Sequence, residues 1–114
     1  MNRWGIPPWL EAEIRQRDQR CVYCGVMMSN SSASANSRKV RATWEHIIND
    51  ARIITRENIA LCCAACNSSK GTKSLVSWIN SEYCKIKGIN EEKVSDVVRA
   101  ALRAARKQKA QPAH

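Results

Sequence analysis

Phenylalanine is absent from this chain, and its aromatic side chains are four tryptophans and two tyrosines. Over 114 residues that supports one modest core and a single domain, 1–114. Long apolar runs are missing too: no segment approaches the roughly 18 apolar residues of a membrane span. The opening stretch, Met1 to Pro8, lacks the apolar run of a secretory signal. The expectation is a cytoplasmic chain with reduced thiols and no membrane partner. Histidine is scarce, with His46 the one such residue apart from the terminal His114. Acidic residues are also few, 10 against 19 lysines and arginines, for a formal charge of +9. No internal repeat is visible beyond two short cysteine pairs.

Those pairs are the main thing present. Cys21-Val-Tyr-Cys24 and Cys63-Ala-Ala-Cys66 are two CxxC knuckles of the kind that together offer four thiolates to one tetrahedral Zn²⁺. A small core benefits from such a staple, because metal binding then contributes directly to folding. A disulfide framework is the competing reading of six cysteines. The spacing and the missing signal segment favour zinc. Cys62 and Cys84 then fall to the core, as do Trp44 and Trp78. Binding zinc through four thiolates lowers the charge by roughly two and leaves the chain basic. A basic chain favours a polyanionic partner, and nucleic acid is the usual one.

Local signals order the rest. Pro7 and Pro8 sit where a helix can begin, Glu11 and Glu13 come early, and Arg15 and Arg17 come late, so a helix is expected over about 8–18. Residues 29–39 are polar and of low complexity and read as a loop. Strands are expected at 41–47 and 58–62, joined by a loop carrying Asn49, Asp50 and Arg52, with Asp50 a minor candidate near a metal. A helix should start near Ala64 and stop at Gly71. Leu75, Trp78, Ile79 and Tyr83 predict a helix over about 74–87, and Val94, Val98, Ala101, Leu102 and Ala105 another over about 91–107 opened by Glu91 and Glu92. The last two should pair antiparallel, and the tail from Lys109 should fray.

Between the knuckles lie the residues with chemistry. Glu45-His46-Ile47, then Asn58-Ile59-Ala60-Leu61, then Cys63-x-x-Cys66-Asn67-x-x-Lys70-Gly71 together resemble the HNH endonucleases. The likeness covers about residues 21–71. It implies an α+β fold: a small ββα-metal (His-Me finger) domain with a four-cysteine zinc site and flanking helices. It implies a metal-dependent endonuclease acting on DNA and leaving a 5′-phosphate and a 3′-hydroxyl. Glu45 stands where the aspartate is usual, Asn67 stands for the last histidine, and the Gly-Gly common in the hairpin loop is missing.

The chemistry also follows from the residue types. Phosphodiester hydrolysis needs a base for the attacking water and a cation for the developing charge. A neutral imidazole such as His46 suits the first. Glu45 and Asn67 offer hard oxygens to Mg²⁺ or another divalent cation. Adjacent strand residues face opposite sides, so Glu45 and His46 can act together only if the strand bends or ends there. By resemblance, Asn58 fixes the hairpin loop and orients His46. Lys70, one turn beyond Asn67, is expected to contact a phosphate. Arg103, Arg106 and Lys107, with Arg99 and Lys109, are expected to form a basic ridge for DNA. A zinc-stabilised DNA-binding module without catalysis is the alternative. One active site cuts one strand, so double-strand cleavage would take a homodimer or two events.

Overall fold

The computed structural model describes residues 2–29 and 38–110, with no side chains for 109 and 110. The expected polar loop therefore falls mostly outside the described residues, as does the end of the tail. What is described is a small α+β arrangement. Helix α1 (Pro8–Arg17) precedes a two-stranded antiparallel sheet, β1 (Ala42–His46) and β2 (Ile59–Cys63), and helix α2 (Ala64–Lys70) follows β2 without a break. Three more helices follow among the described residues: α3 (Leu75–Ile79), α4 (Glu82–Lys87) and α5 (Asp96–Ala110).

Helix α1 begins where proline places it. Pro8 needs no N–H partner in the first turn, and Glu11 near the start with Arg15 and Arg17 near the end complement the helix dipole. Leu10 and Ile14, four apart, are buried with Ile6, Ile59 and Leu61. The end of α1 is tied to β2 by polar contacts. The Asp18 carboxylate accepts the Leu61 N–H at 3.1 Å, and the Arg17 guanidinium donates to the Ile59 carbonyl at 2.9 Å.

Every residue of β2 is buried. Ile59 and Leu61 face α1, whereas Ala60 and Cys62 face a second cluster with Tyr23, Trp78, Cys84, Val98 and Leu102. The sheet is thus covered on both sides, and the strand pattern shows no alternation of polar and apolar residues. Register runs from Ala42 opposite Cys63 to His46 opposite Ile59. Cys62 and Cys84 are fully buried, and Trp78 packs edge-on to Tyr23 at 4.8 Å. Trp44 is half-buried, with the Arg15 guanidinium over its ring.

Two helices differ from expectation. The helix expected over 74–87 is broken into α3 and α4, because the Ser81 hydroxyl accepts the Cys84 N–H and starts a new helix. The last helix starts at Asp96, not near Glu91. Asn90 accepts the N–H groups of Glu92 and Lys93 in a turn, and the Ser95 N–H bonds to the Val22 carbonyl, so this stretch serves the loop before the helix. Of its expected stripe, Val98 and Leu102 are buried and Ala101 and Ala105 half-buried, Val94 is buried in the loop before the helix, and α5 packs on α3.

Trp78 is fully buried, and its indole N–H donates to the Ser69 hydroxyl at 2.9 Å. Trp78→Ala should therefore lower stability by about 3–5 kcal/mol. Trp9→Ala, at a residue 61% exposed, should cost under about 1 kcal/mol. Urea unfolding of the two variants measures the contrast.

Candidate metal and catalytic centre

The first knuckle closes as a tight turn. Cys21 and Val26 pair through the backbone, and Gly25 adopts φ +79°, which a side chain would resist. The second knuckle straddles the β2–α2 junction, so Cys63 ends the strand and Cys66 lies in the helix. This brings four ligand atoms, the sulfurs of Cys21, Cys24, Cys63 and Cys66, within 4.8 Å of one another. The Cys24 and Cys63 sulfurs are 3.8 Å apart. Tetrahedral bonds of ~2.3 Å to one zinc would separate the sulfurs by about 3.8 Å. Such a cluster could hold a metal ion such as zinc.

Electrostatics point the same way. Four thiolates at this separation repel one another, and without a cation they share protons. Hydrogen bonding to Cys24 pushes the Cys21 thiol up, and hydrogen bonding to Cys21 pulls the Cys24 thiol down. A divalent cation removes this conflict by stabilising all four as thiolates. Cys62, adjacent to the cluster, has its thiol pushed up by burial and has the Thr43 hydroxyl 3.6 Å from its sulfur.

Glu45 and His46 leave the end of β1 in opposite directions. Glu45 is 7% exposed and turns inward. Its Oε2 accepts the Tyr23 hydroxyl at 2.5 Å and pairs with the Lys70 ammonium at 3.1 Å. Burial, then the charge of Glu45, hold the Tyr23 hydroxyl well above its usual range, so it stays a donor. His46 instead packs against Trp4, edge to face, at 5.5 Å between ring centres. Burial lowers its pKa, the Glu45 charge opposes this, and the Lys70 charge adds to it. The imidazole is therefore neutral at pH 7. Its buried Nε2 has no hydrogen-bond partner among the described residues.

Asn58 joins both ends of the hairpin loop. Its oxygen accepts the Ile48 N–H at 2.6 Å, and its nitrogen donates to the carbonyls of Ile48 at 3.3 Å and Ile53 at 3.1 Å. The loop thus closes through this side chain without a Gly-Gly pair, and Ile48, two residues after His46, is held in place. Asn67 donates to the Thr43 hydroxyl at 2.9 Å and the Trp44 carbonyl at 3.2 Å. A carbonyl only accepts, so the amide nitrogen must face β1. Asp50 is engaged by Arg52, whose guanidinium holds its carboxyl down to about 2.

Two expected contacts with nucleic acid change here. Lys70 is 1% exposed, and its ammonium lies between Glu45 and the His46 carbonyl, 3.5 Å from the latter. Closure of α2 onto the sheet turns it inward. In the expected ridge, Arg99 is used by the fold, donating to the carbonyls of Glu91, Glu92 and Val94. Arg103 and Arg106 both pair with Glu91, while Lys107 is exposed. The ridge is thus partly neutralised by an acid that the linear pattern had placed at the start of a helix.

Trp4 and Tyr23 were not expected at the site. Trp4 is set by a turn in which the Asn2 side chain accepts the N–H groups of Trp4 and Ile6, each at 3.0 Å. An Asn two residues before a Trp is a turn signal, but nothing in it points to a histidine 42 positions later. Compared with family models, with curated proteins and with solved structures, the chain matches none.

Three outcomes follow from this geometry. Cys63→Ser should lose the bound metal and unfold, whereas Cys62→Ser should keep its metal content, as metal analysis of purified protein reads. Asn58→Ala should cost about 1–3 kcal/mol, since it leaves the Ile48 N–H without its partner. It should also speed amide exchange over residues 47–53. Trp4→Ala should hydrate the imidazole and raise the His46 pKa toward its ordinary value, as an NMR titration reads.

Proposed function

We propose that this chain is an endonuclease of the HNH type, hydrolysing phosphodiester bonds in DNA, with one structural Zn²⁺ on Cys21, Cys24, Cys63 and Cys66. The observation that carries the reading is His46. It is a neutral imidazole with an orphaned buried nitrogen, at the end of a strand in a ββα unit cross-braced by four cysteines. A buried polar atom without a partner calls for an explanation, and a site for water or substrate supplies one. The order of acid-histidine, asparagine and CxxCN along the unit supports the same reading. The net charge of +9 suits a polyanionic substrate.

In this reading His46 accepts the proton of the attacking water, and Asn58 holds the loop that follows it. The zinc holds the hairpin, the helix and the first knuckle in one piece and takes no part in bond cleavage. A second, divalent cation such as Mg²⁺ would fall to Glu45 and Asn67. As arranged, Glu45 Oε2 is not open to it, whereas the amide oxygen of Asn67 is. Glu45 Oε2 is taken by Tyr23 and Lys70, while both hydrogen bonds of the Asn67 amide use its nitrogen and leave its oxygen unused. The proton transfer at His46 is the step that the chain's own residues support.

The Lys70–Glu45 pair also favours a second reading, a zinc-stabilised DNA-binding module without catalysis. Incubation of supercoiled plasmid with the protein, with and without Mg²⁺ or Mn²⁺, separates the two. The nuclease reading expects nicked or linear DNA and a fall of roughly 100-fold or more in His46→Ala. DNA binding with no cleavage in any metal supports the binding module. Equal cleavage by His46→Ala removes His46 as the base.

The pH dependence has a definite sign. Only the neutral imidazole accepts a proton, and burial lowers its pKa. The cleavage rate should rise with pH through a midpoint below the ordinary histidine value of ~6.5. A rate profile from pH 4.5 to 8 checks this, and a midpoint above ~6.5 is the contrary result.

A further inference from the structure

Buried lysines are uncommon, because an ammonium loses its hydration on burial and needs a close counter-charge. Lys70 is 1% exposed, and Glu45, its partner, is 7% exposed. The ammonium is 3.1 Å from Glu45 Oε2 and 3.5 Å from the His46 carbonyl oxygen. The Tyr23 hydroxyl completes the cluster on the same carboxylate oxygen, and Tyr23 is itself fully buried. Two donors, one of them carrying a positive charge, therefore already meet at this oxygen. A divalent ion binding there would come within about 2.0–2.6 Å of it. At that distance it would face the ammonium at close range in a poorly screened interior, where like charges repel strongly.

From this geometry we propose that Lys70 is the resident counter-cation of Glu45, and that a divalent ion gains Oε2 of this carboxylate only by displacing the lysine ammonium. The inference rests on the nuclease reading only in taking Glu45 to be the acid of the site. The ammonium balances the carboxylate while no metal is bound, so the core closes around a neutral pair. The same pair sets the metal affinity of the site, because every divalent ion competes with a tethered cation that never diffuses away. Lys70 sits at the last position of α2, next to Gly71, where the chain turns with φ +51°. Outward movement of this one side chain would release the carboxylate without disturbing the four cysteines.

Mn²⁺ titration of the zinc-loaded protein, read by the EPR signal of free Mn²⁺, tests the proposal. Wild-type protein should bind Mn²⁺ weakly. Lys70→Met, matched in length and uncharged, should bind it roughly tenfold or more tighter. Lys70→Met combined with Glu45→Gln should lose that gain. Equal Mn²⁺ affinity in wild type and Lys70→Met overturns the proposal, and so does a gain that survives Glu45→Gln. Zinc content and circular dichroism establish that each variant is folded, with Lys70→Gln as the substitute if the methionine fails. Wild-type protein provides an independent arm through the ¹⁵N–¹H signal of the Lys70 ammonium. That signal should be protected from solvent exchange without added metal and lost as Mg²⁺ is raised. A signal unchanged while Mg²⁺ binds at Glu45 overturns the displacement. DNA cleavage is not a readout in either arm, so absence of nuclease activity would count against the proposed function and leave this result standing.

Discussion

Two sulfurs from the turn at residues 21–24 and two from the β2–α2 junction meet within 4.8 Å. Most of the arrangement hangs on that meeting. The first knuckle carries Tyr23 into the core, where it reaches Glu45 and packs on Trp78. Val22 accepts the Ser95 N–H and so fixes the approach to α5. The second knuckle sets the angle at which α2 leaves the sheet, and with it the positions of Asn67 and Lys70. With no phenylalanine and a sheet of two strands, little else could hold these segments together. A metal ion is well suited to this place, since it replaces a large apolar contact with a few strong bonds.

Around that junction, charge is handled by burial in pairs. Glu45 with Lys70, and Asp18 with Arg17, each place a carboxylate in the interior beside a cation and a further donor. Removing one member of such a pair leaves the other without compensation, so pairs of this kind constrain geometry more than they add stability. The two pairs act on opposite faces of the sheet. One sets the relation of α2 to β1, and the other the relation of α1 to β2.

How much of this was legible in the chain depended on the range of the signal. The cysteine spacing pointed to one four-sulfur cluster because its geometry is short-range within each knuckle. The start of α1 at its prolines, the β2–α2 junction at Ala64 and the stop at Gly71 were likewise readable from local chemistry. The break at Asn80–Ser81 was harder, since an apolar stripe continues across it and only the capping serine marks it. The inward turn of Lys70 could not be read, because helical spacing gives a side chain's face and not whether that face will be closed over. Trp4 against His46 and Tyr23 against Glu45 are contacts between distant segments, and spacing along one element contains no trace of them. Arg103 and Arg106 had the right charge for a ridge, but their shared partner Glu91 lies in a turn that only the tertiary structure brings near.

Strand β2 is pinned at both ends: Asn58 ties its start to the hairpin loop, and Cys63 at its finish belongs to the sulfur cluster. Between these anchors Ile59, Ala60, Leu61 and Cys62, all buried, alternate between two different cores. The strand therefore works as a ruler. Side chains along it can be exchanged for others of similar volume, but its length cannot change by one residue without either unfastening the loop or pulling a sulfur out of reach. Sequence drift in this segment is confined to substitution, while insertions and deletions must be accommodated elsewhere in the chain.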